Sequence, residues 1–360
     1  MSLSIGIVGL PNVGKSTLFN SLTNAGALAA NYPFATIEPN IGIVPVPDTR
    51  LNVLAKMYNC QKITPATVSF VDIAGLVAGA SSGEGLGNKF LANIRECNAI
   101  VHVIRGFSDK NVIHVSNKIN PKNDIEIITT ELILADLQTL ENHLPKLIKE
   151  SRSDPNKKHV VNYVETLINH LKSGTPLNKL PDLDNDVVLS LNLLTSKPVI
   201  YVFNIDEEVL NSTEKQKELS SLVYPTKSVF ISAKLEEELA SLDDNDKQEL
   251  LESYNISESG LNQLAKASYD ILGLQSYLTA GEKEVRAWTI HKGDTAPQAA
   301  GVIHGDFERG FIAASIVDYE DLVSCGSEQA AKSAGKMRLE GRDYIMQPSD
   351  VVEFRFNVSK

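Results

Sequence analysis

Gly9-Leu10-Pro11-Asn12-Val13-Gly14-Lys15-Ser16-Thr17 decides the fold of this 360-residue chain. Before it, Leu3 to Val8 is a short apolar run rich in Ile and Val that reads as a buried parallel strand. After it, Leu18 and Leu22 alternate with the polar Asn20, Ser21 and Asn24, as in an amphipathic helix. Strand, glycine loop and helix are the setting a phosphate-binding P-loop needs. Gly9 and Gly14 let backbone amides turn toward one point, and the helix N-terminus adds positive potential there. Lys15 then reaches the β- and γ-phosphates, and the Ser16 hydroxyl ligates Mg²⁺. The alternative, a glycine turn with a chance Lys-Ser pair, does not account for the flanking elements. The chain is expected to bind a nucleoside triphosphate.

Asn31 to Asn40 carries prolines at 33 and 39 and no helical period, and reads as a loop entering a strand at Ile41 to Val46. Thr36 in that loop is either a second Mg²⁺ contact when a γ-phosphate is present or an ordinary loop threonine. Thr67 to Val71 reads as a strand ending at Asp72-Ile73-Ala74-Gly75. A carboxylate at such a strand tip holds Mg²⁺ through water, and a glycine three residues on lets its amide approach the γ-phosphate. Glycines at 75, 79, 83, 85 and 87 make the following stretch either a nucleotide-ordered segment or a surface connector.

Further on, Ala99 to Ile104 reads as a buried strand, and Asp124 to Glu150 as a long helix with Ile127, Leu134, Leu137, Leu144 and Ile148 near a 3.5-residue repeat. After a break at Ser151 to Pro155, Val161, Val164, Leu167, Ile168 and Leu171 line one face of a second helix, giving an antiparallel hairpin. Residues 146 to 158 hold Lys146, Lys149, Arg152, Lys157 and Lys158 against Glu150 and Asp154. Such a basic tip suits RNA phosphates, and equally fits a solvated face. Lys197 to Phe203 then delivers Asn204-Ile205-Asp206-Glu207, and Ser228 to Ile231 delivers Ser232-Ala233-Lys234, at strand ends where parallel sheets bind ligands.

Composition sets the bounds. With 42% hydrophobic and 22% charged residues the chain is ordinary for a soluble globular protein of two or three domains. No signal-peptide pattern is seen, and no apolar run approaches the roughly 18 residues of a membrane span. Cys60, Cys97 and Cys325 form no CxxC pair and read as free thiols in a reducing cytoplasm. A net charge of −11 argues against coating nucleic acid with the whole surface.

A P-loop, a loop threonine, Asp-x-x-Gly, Asn-x-x-Glu and Ser-Ala-Lys, in that order, resemble the YchF or Obg-like ATPase subfamily of translation-factor-class P-loop proteins. The likeness runs over essentially the whole chain. It implies an α/β fold: a P-loop G-domain whose mostly parallel sheet has helices on both faces, with an inserted helical hairpin and a C-terminal β-grasp (TGS) domain. The expected limits are 1–275 for the nucleotide-binding domain, interrupted by the insertion at 122–197, and 276–360 for the TGS domain. Val285 to Ile290 and Val351 to Phe356 alternate as half-buried strands there, and Gly305 to Phe311 and Leu339 to Tyr344 match the family pattern. With ten basic against thirteen acidic residues in 276–360, that domain is no obvious RNA platform.

The same resemblance implies ATP over GTP. Ras-type Asn-Lys-x-Asp places an Asp on the guanine N1–H and 2-amino group; here Ile205 and the longer Glu207 take the second and fourth positions. Asp206, one place early, keeps a GTPase of the Obg type as the alternative. The Ras water-orienting Gln is replaced by Leu76, so hydrolysis is expected to be slow or to use another group. The family pattern places a catalytic histidine at His114. Implied nucleotide contacts are Asn12, Val13, Gly14, Lys15, Ser16, Thr17, Gly75, Asn204, Ile205, Glu207, Ser232, Ala233 and Lys234, with Lys15 also catalytic. Ser16, Thr36 and Asp72 form the Mg²⁺ set, and Asn12 either binds K⁺ or fixes the loop. A ribosome-associated, cytoplasmic, monomeric ATPase switch is expected, touching RNA through the hairpin tip; the alternative is a ribosome-binding module with incidental turnover.

Overall fold

The computed structural model describes residues 3–29, 41–73, 86–108, 119–154 and 157–357. Twelve strands follow along these residues: β1 (Ser4–Val8), β2 (Ile41–Pro45), β3 (Ile63–Thr64), β4 (Thr67–Asp72), β5 (Ala99–Arg105), β6 (Val199–Asn204), β7 (Ser228–Ile231), β8 (Leu274–Ala280), β9 (Val285–His291), β10 (Phe311–Asp318), β11 (Arg338–Glu340) and β12 (Asp350–Phe356). The helices that matter most are α1 (Lys15–Ala29), α2 (Thr49–Met57), α3 (Leu86–Glu96), α4 (Pro121–Ser153) and α5 (Lys158–Lys172). The chain forms two compact units, Met1–Ile43 with Ser69–Leu264, and Val44–Val68 with Ala265–Lys360.

The first unit is an α/β nucleotide-binding domain with strand order β2-β4-β1-β5-β6-β7. β1 pairs in parallel with β4 and β5, and β5, β6 and β7 continue in parallel. Central parallel strands are covered on both faces, which is why β5 is buried along its whole length and β1 is buried from Ile5 to Val8. Because β1, β4, β5, β6 and β7 share one direction, their C-terminal ends open on one side of the sheet. Gly9 to Gly14, Ile73, Gly106, Ile205 and Ser232 all follow those ends.

α4 starts where Asn120 accepts a bond from the Asn123 amide and Pro121 opens the first turn. It forms a hairpin with α5, whose Val161, Val164, Leu167, Ile168 and Leu171 are all buried. The stripe on α4 follows the 3.5-residue reading at Leu137 and Leu144, which pack against the hairpin core, and departs from it elsewhere. Ile128, Leu132, Ile133 and Leu140 are buried, whereas Leu134 is 45% exposed. Asp124, Glu131 and Asp136 are buried too, so α4 turns polar groups inward that a coiled-coil seam would keep out. Asp136 explains one of them: its carboxylate accepts from the Leu194 and Thr195 amides at 2.8 Å each and from the Thr195 hydroxyl at 2.7 Å. Burial still pushes its pKa up.

The second unit carries its own sheet, in the order β11-β10-β12-β8-β9-β3. The helix Ala296–Ile303 lays Ala296, Ala299 and Ala300 against Tyr277, Ala314, Ile316 and Val352. Alanines allow that close approach, and the Tyr277 hydroxyl donates to the Ala299 carbonyl at 2.9 Å. Residues 44–68, assigned from sequence to the nucleotide-binding domain, fold with this unit instead. Their two-residue strand β3 pairs in parallel with β9, Ile63 opposite Val285, and supplies the sheet's edge.

Candidate functional site

The P-loop geometry follows from two left-handed residues, Asn12 at φ +63° and Gly14 at φ +87°. Asn tolerates that region; at Gly14 a side chain is excluded twice, by φ and because a Cβ would strike the Asn204 amide. The Gly14 carbonyl accepts the first helical bond of α1, from the Leu18 amide at 2.9 Å, so Lys15, Ser16 and Thr17 occupy the first turn. Their side chains lie partly or fully open, while Val13 is buried beneath. Lys15 Nζ donates to Asp72 Oδ1, the carboxylate that ends β4.

Asn204 binds two loops together. Its Nδ2 donates to the Val13 carbonyl at 3.0 Å, and its Oδ1 accepts from the Ala233 amide at 3.1 Å. At 6% exposure this amide is largely spent on the protein, and its direct work is positioning. Ser232 caps the helix Ala233–Ala240, accepting from the Leu235 amide at 3.3 Å. Behind that cap, Glu236 accepts from the Gly260 amide at 2.6 Å and the Leu261 amide at 3.4 Å. Burial nevertheless pushes its pKa up to about 7.

These loops enclose a cavity of about 730 Å³. Gly14, Thr17, Asn204, Ile205, Glu207, Ser232, Ala233 and Lys234, all sequence candidates, line it together with Asp206. The Asp206 carboxylate accepts from the Ser108 amide at 2.9 Å, which holds it to the loop after β5. Asp206, Glu207, Glu208 and Glu237 give the cavity wall an acidic stretch beside Lys234, while Gly14 and Thr17 bring the P-loop and the first turn of α1 to it. Thr36, Gly75, Leu76 and His114 lie outside the described residues.

Sequence reasoning missed Phe107, Ser108 and Tyr254. Phe107 lines the cavity just beyond β5, and the buried Arg105 guanidinium lies 4.4 Å from its ring centroid. Its signal was available, since it follows a strand end like the other site loops. Tyr254 had none: it reaches Glu207 only through the tertiary fold, donating from its hydroxyl to Oε2 at 3.1 Å.

Among the described residues no group of three or more His, Cys, Asp or Glu side chains gathers to hold a metal by itself. Ser16, in the first turn of α1, and Asp72, at the end of β4, each carry a side-chain oxygen.

The fold and site define a P-loop nucleotide-binding protein with a G-domain sheet. Two family models match: one described as "50S ribosome-binding GTPase" over residues 4–136, and YchF-GTPase_C, described as a protein of unknown function, over residues 274–357. A Bacillus subtilis protein named ribosome-binding ATPase YchF is 50% identical over 366 residues, covering 99% of this chain and 100% of its own. Its namesake in Escherichia coli O157:H7 is 49% identical with the same coverage. The solved structure of the Schizosaccharomyces pombe YchF GTPase superposes with a TM-score of 0.88 at 37% identity, covering 98% of both chains. The chain belongs to the YchF family.

Proposed function

We propose that this protein is a ribosome-associated, Mg²⁺-dependent ATPase that turns ATP into ADP and phosphate and works as a nucleotide-dependent switch. The observation that carries the reading is the convergence of the P-loop, the Asn204 loop and the Ser232 loop on one cavity. Its acidic stretch gives the nucleotide a direction. Phosphates belong at the α1 N-terminus with Lys15, because the acidic stretch would repel them; the base then lies toward Asn204 to Glu207 and Ser232 to Lys234. Phe107 offers an aromatic face there.

Lys15 Nζ donates to Asp72 Oδ1; a phosphate oxygen at Lys15 would compete for the ammonium group and leave the Asp72 carboxylate able to help hold Mg²⁺. Ser16 and Thr36 would hold that ion together with Asp72, and the ion would neutralise phosphate charge. His114 serves the attacking water in place of the glutamine that Leu76 replaces. Adenine is favoured because Asp206 is tied to Ser108, while Ile205 and Glu207 stand where guanine-reading residues would be. The names of the relatives support the ribosome as partner. At the hairpin tip Lys146, Lys149, Arg152 and Lys158 are exposed without pairing to Glu150, which holds Lys157 at 2.8 Å. That leaves a basic end fit for RNA phosphates. We read the C-terminal unit as the TGS domain.

The test is steady-state hydrolysis of ATP and GTP, with Mg²⁺ or EDTA, with and without purified ribosomes. Mg²⁺-dependent ATP turnover that ribosomes stimulate is expected. Ribosome binding without any change in turnover would favour the binding-module reading, and faster GTP turnover the Obg-type GTPase.

A further inference from the structure

Glu207 lies at the base end of the cavity, yet its carboxylate is held from outside it. The helix Asp244–Ser253 is capped at its start by Asp243, which accepts from the Asn245 and Asp246 amides at 3.0 Å each. It stops at Tyr254, whose amide bonds back to Leu250 and Leu251, and Asn255 turns the chain away at φ +58°. Both ends of the helix are therefore set by local chemistry, and the Tyr254 ring is set with them. Its hydroxyl donates to Glu207 Oε2 at 3.1 Å. Lys234 Nζ stands 3.9 Å from Oε1, but it is 86% exposed and holds little.

A carboxylate in this place has opposite meanings for the two purines. Guanine presents N1–H and a 2-amino group, both donors, and attracts it. Adenine presents a bare N1 lone pair, which it repels. Glu207 has three side-chain torsions, enough to reach toward the base if nothing restrains it.

We propose that Tyr254 is a positioning residue for nucleotide selection: it withholds the Glu207 carboxylate from the base and so keeps the site from acquiring guanine affinity. This rests on the reading of the cavity as an ATP site. The bond also raises the Tyr254 pKa, so the hydroxyl stays a donor through the physiological range.

The experiment measures ATP and GTP dissociation constants for the full chain, in Mg²⁺, for wild type, Tyr254→Phe, Glu207→Ala and the double variant. Tyr254→Phe removes only the hydroxyl, and thermal unfolding verifies that the fold persists. Losing a hydrogen bond to a charged group corresponds to about a ten- to hundredfold change. GTP affinity should rise by that factor in Tyr254→Phe while ATP affinity falls or holds, and adding Tyr254→Phe to Glu207→Ala should change neither. An unchanged ATP-to-GTP ratio in Tyr254→Phe, with wild type still preferring ATP, overturns this role alone. A shift that persists without Glu207 overturns it as well. Equal affinities in the wild type would sink both this role and the ATP reading beneath it.

Discussion

Asn204 Nδ2 donates to the Val13 carbonyl at 3.0 Å, so the end of β6 grips the P-loop from below. The same amide accepts from Ala233, and one buried side chain thereby sets the spacing of three loops. Replacing Asn204 with Asp removes the donor and turns a carboxylate toward the Val13 carbonyl. Leaving a buried polar group unsatisfied costs about 1–3 kcal/mol. Asn204→Asp should therefore weaken ATP binding by about ten- to a hundredfold, measured by calorimetric titration.

Lys15→Ala should abolish productive nucleotide binding, because on the proposed reading the ammonium would contact phosphates in the ground state. His114→Ala should leave binding intact and lower turnover, since the role proposed for it would act chiefly near the transition state. Parallel measurement of Kd and kcat separates the two. His114→Ala turning over like wild type would remove it from the mechanism.

Hydrolysis should depend on K⁺. Asn12 takes a left-handed backbone position in the P-loop, and on the reading proposed above its side-chain oxygen would help hold a monovalent cation beside the phosphates rather than only fix the loop. Such an ion neutralises transition-state charge in place of an arginine finger. Initial rates in K⁺ and Na⁺ at equal ionic strength, with Asn12→Ala alongside, provide the check. Equal rates in both salts contradict the cation.

Glu236 gives the fold a pH signature. Its folded pKa, about 7, lies above the ordinary carboxylate value of 4.5, so the folded state binds more protons between those limits. Its contribution to stability is fully present below about pH 4.5 and is lost as pH rises through 7. A shift of this size corresponds to a loss on the order of 3 kcal/mol. Glu236→Gln keeps an acceptor for Gly260 and removes the titration. Denaturant unfolding should show the wild type losing stability relative to Glu236→Gln between pH 5 and 8. Parallel pH profiles for the two proteins would contradict the shift.

How much of this was legible follows from where the information lies. The strand, P-loop and first turn of α1 are contiguous, and glycine, lysine and hydroxyl residues at fixed spacing state their own geometry. Asn204 and Ser232 were legible as strand ends. Residues 44–68 were not: a two-residue strand has no periodicity, and β3 exists only because β9 offers it an edge. Leu134 misled because an apolar residue at coiled-coil spacing looks the same whether its helix faces one neighbour or several. Tyr254 is the extreme case, since nothing around it in sequence records its bond to Glu207.

The central claim is that three loops distant in sequence form one ATP site. Hydrogen exchange of the backbone amides, with and without Mg²⁺·ATP, tests it most directly. The account predicts added protection in peptides covering residues 9–17, 204–208 and 232–236 together, and none of it in Lys15→Ala. Protection confined to the P-loop peptide, with 204–208 and 232–236 exchanging as before, would contradict it.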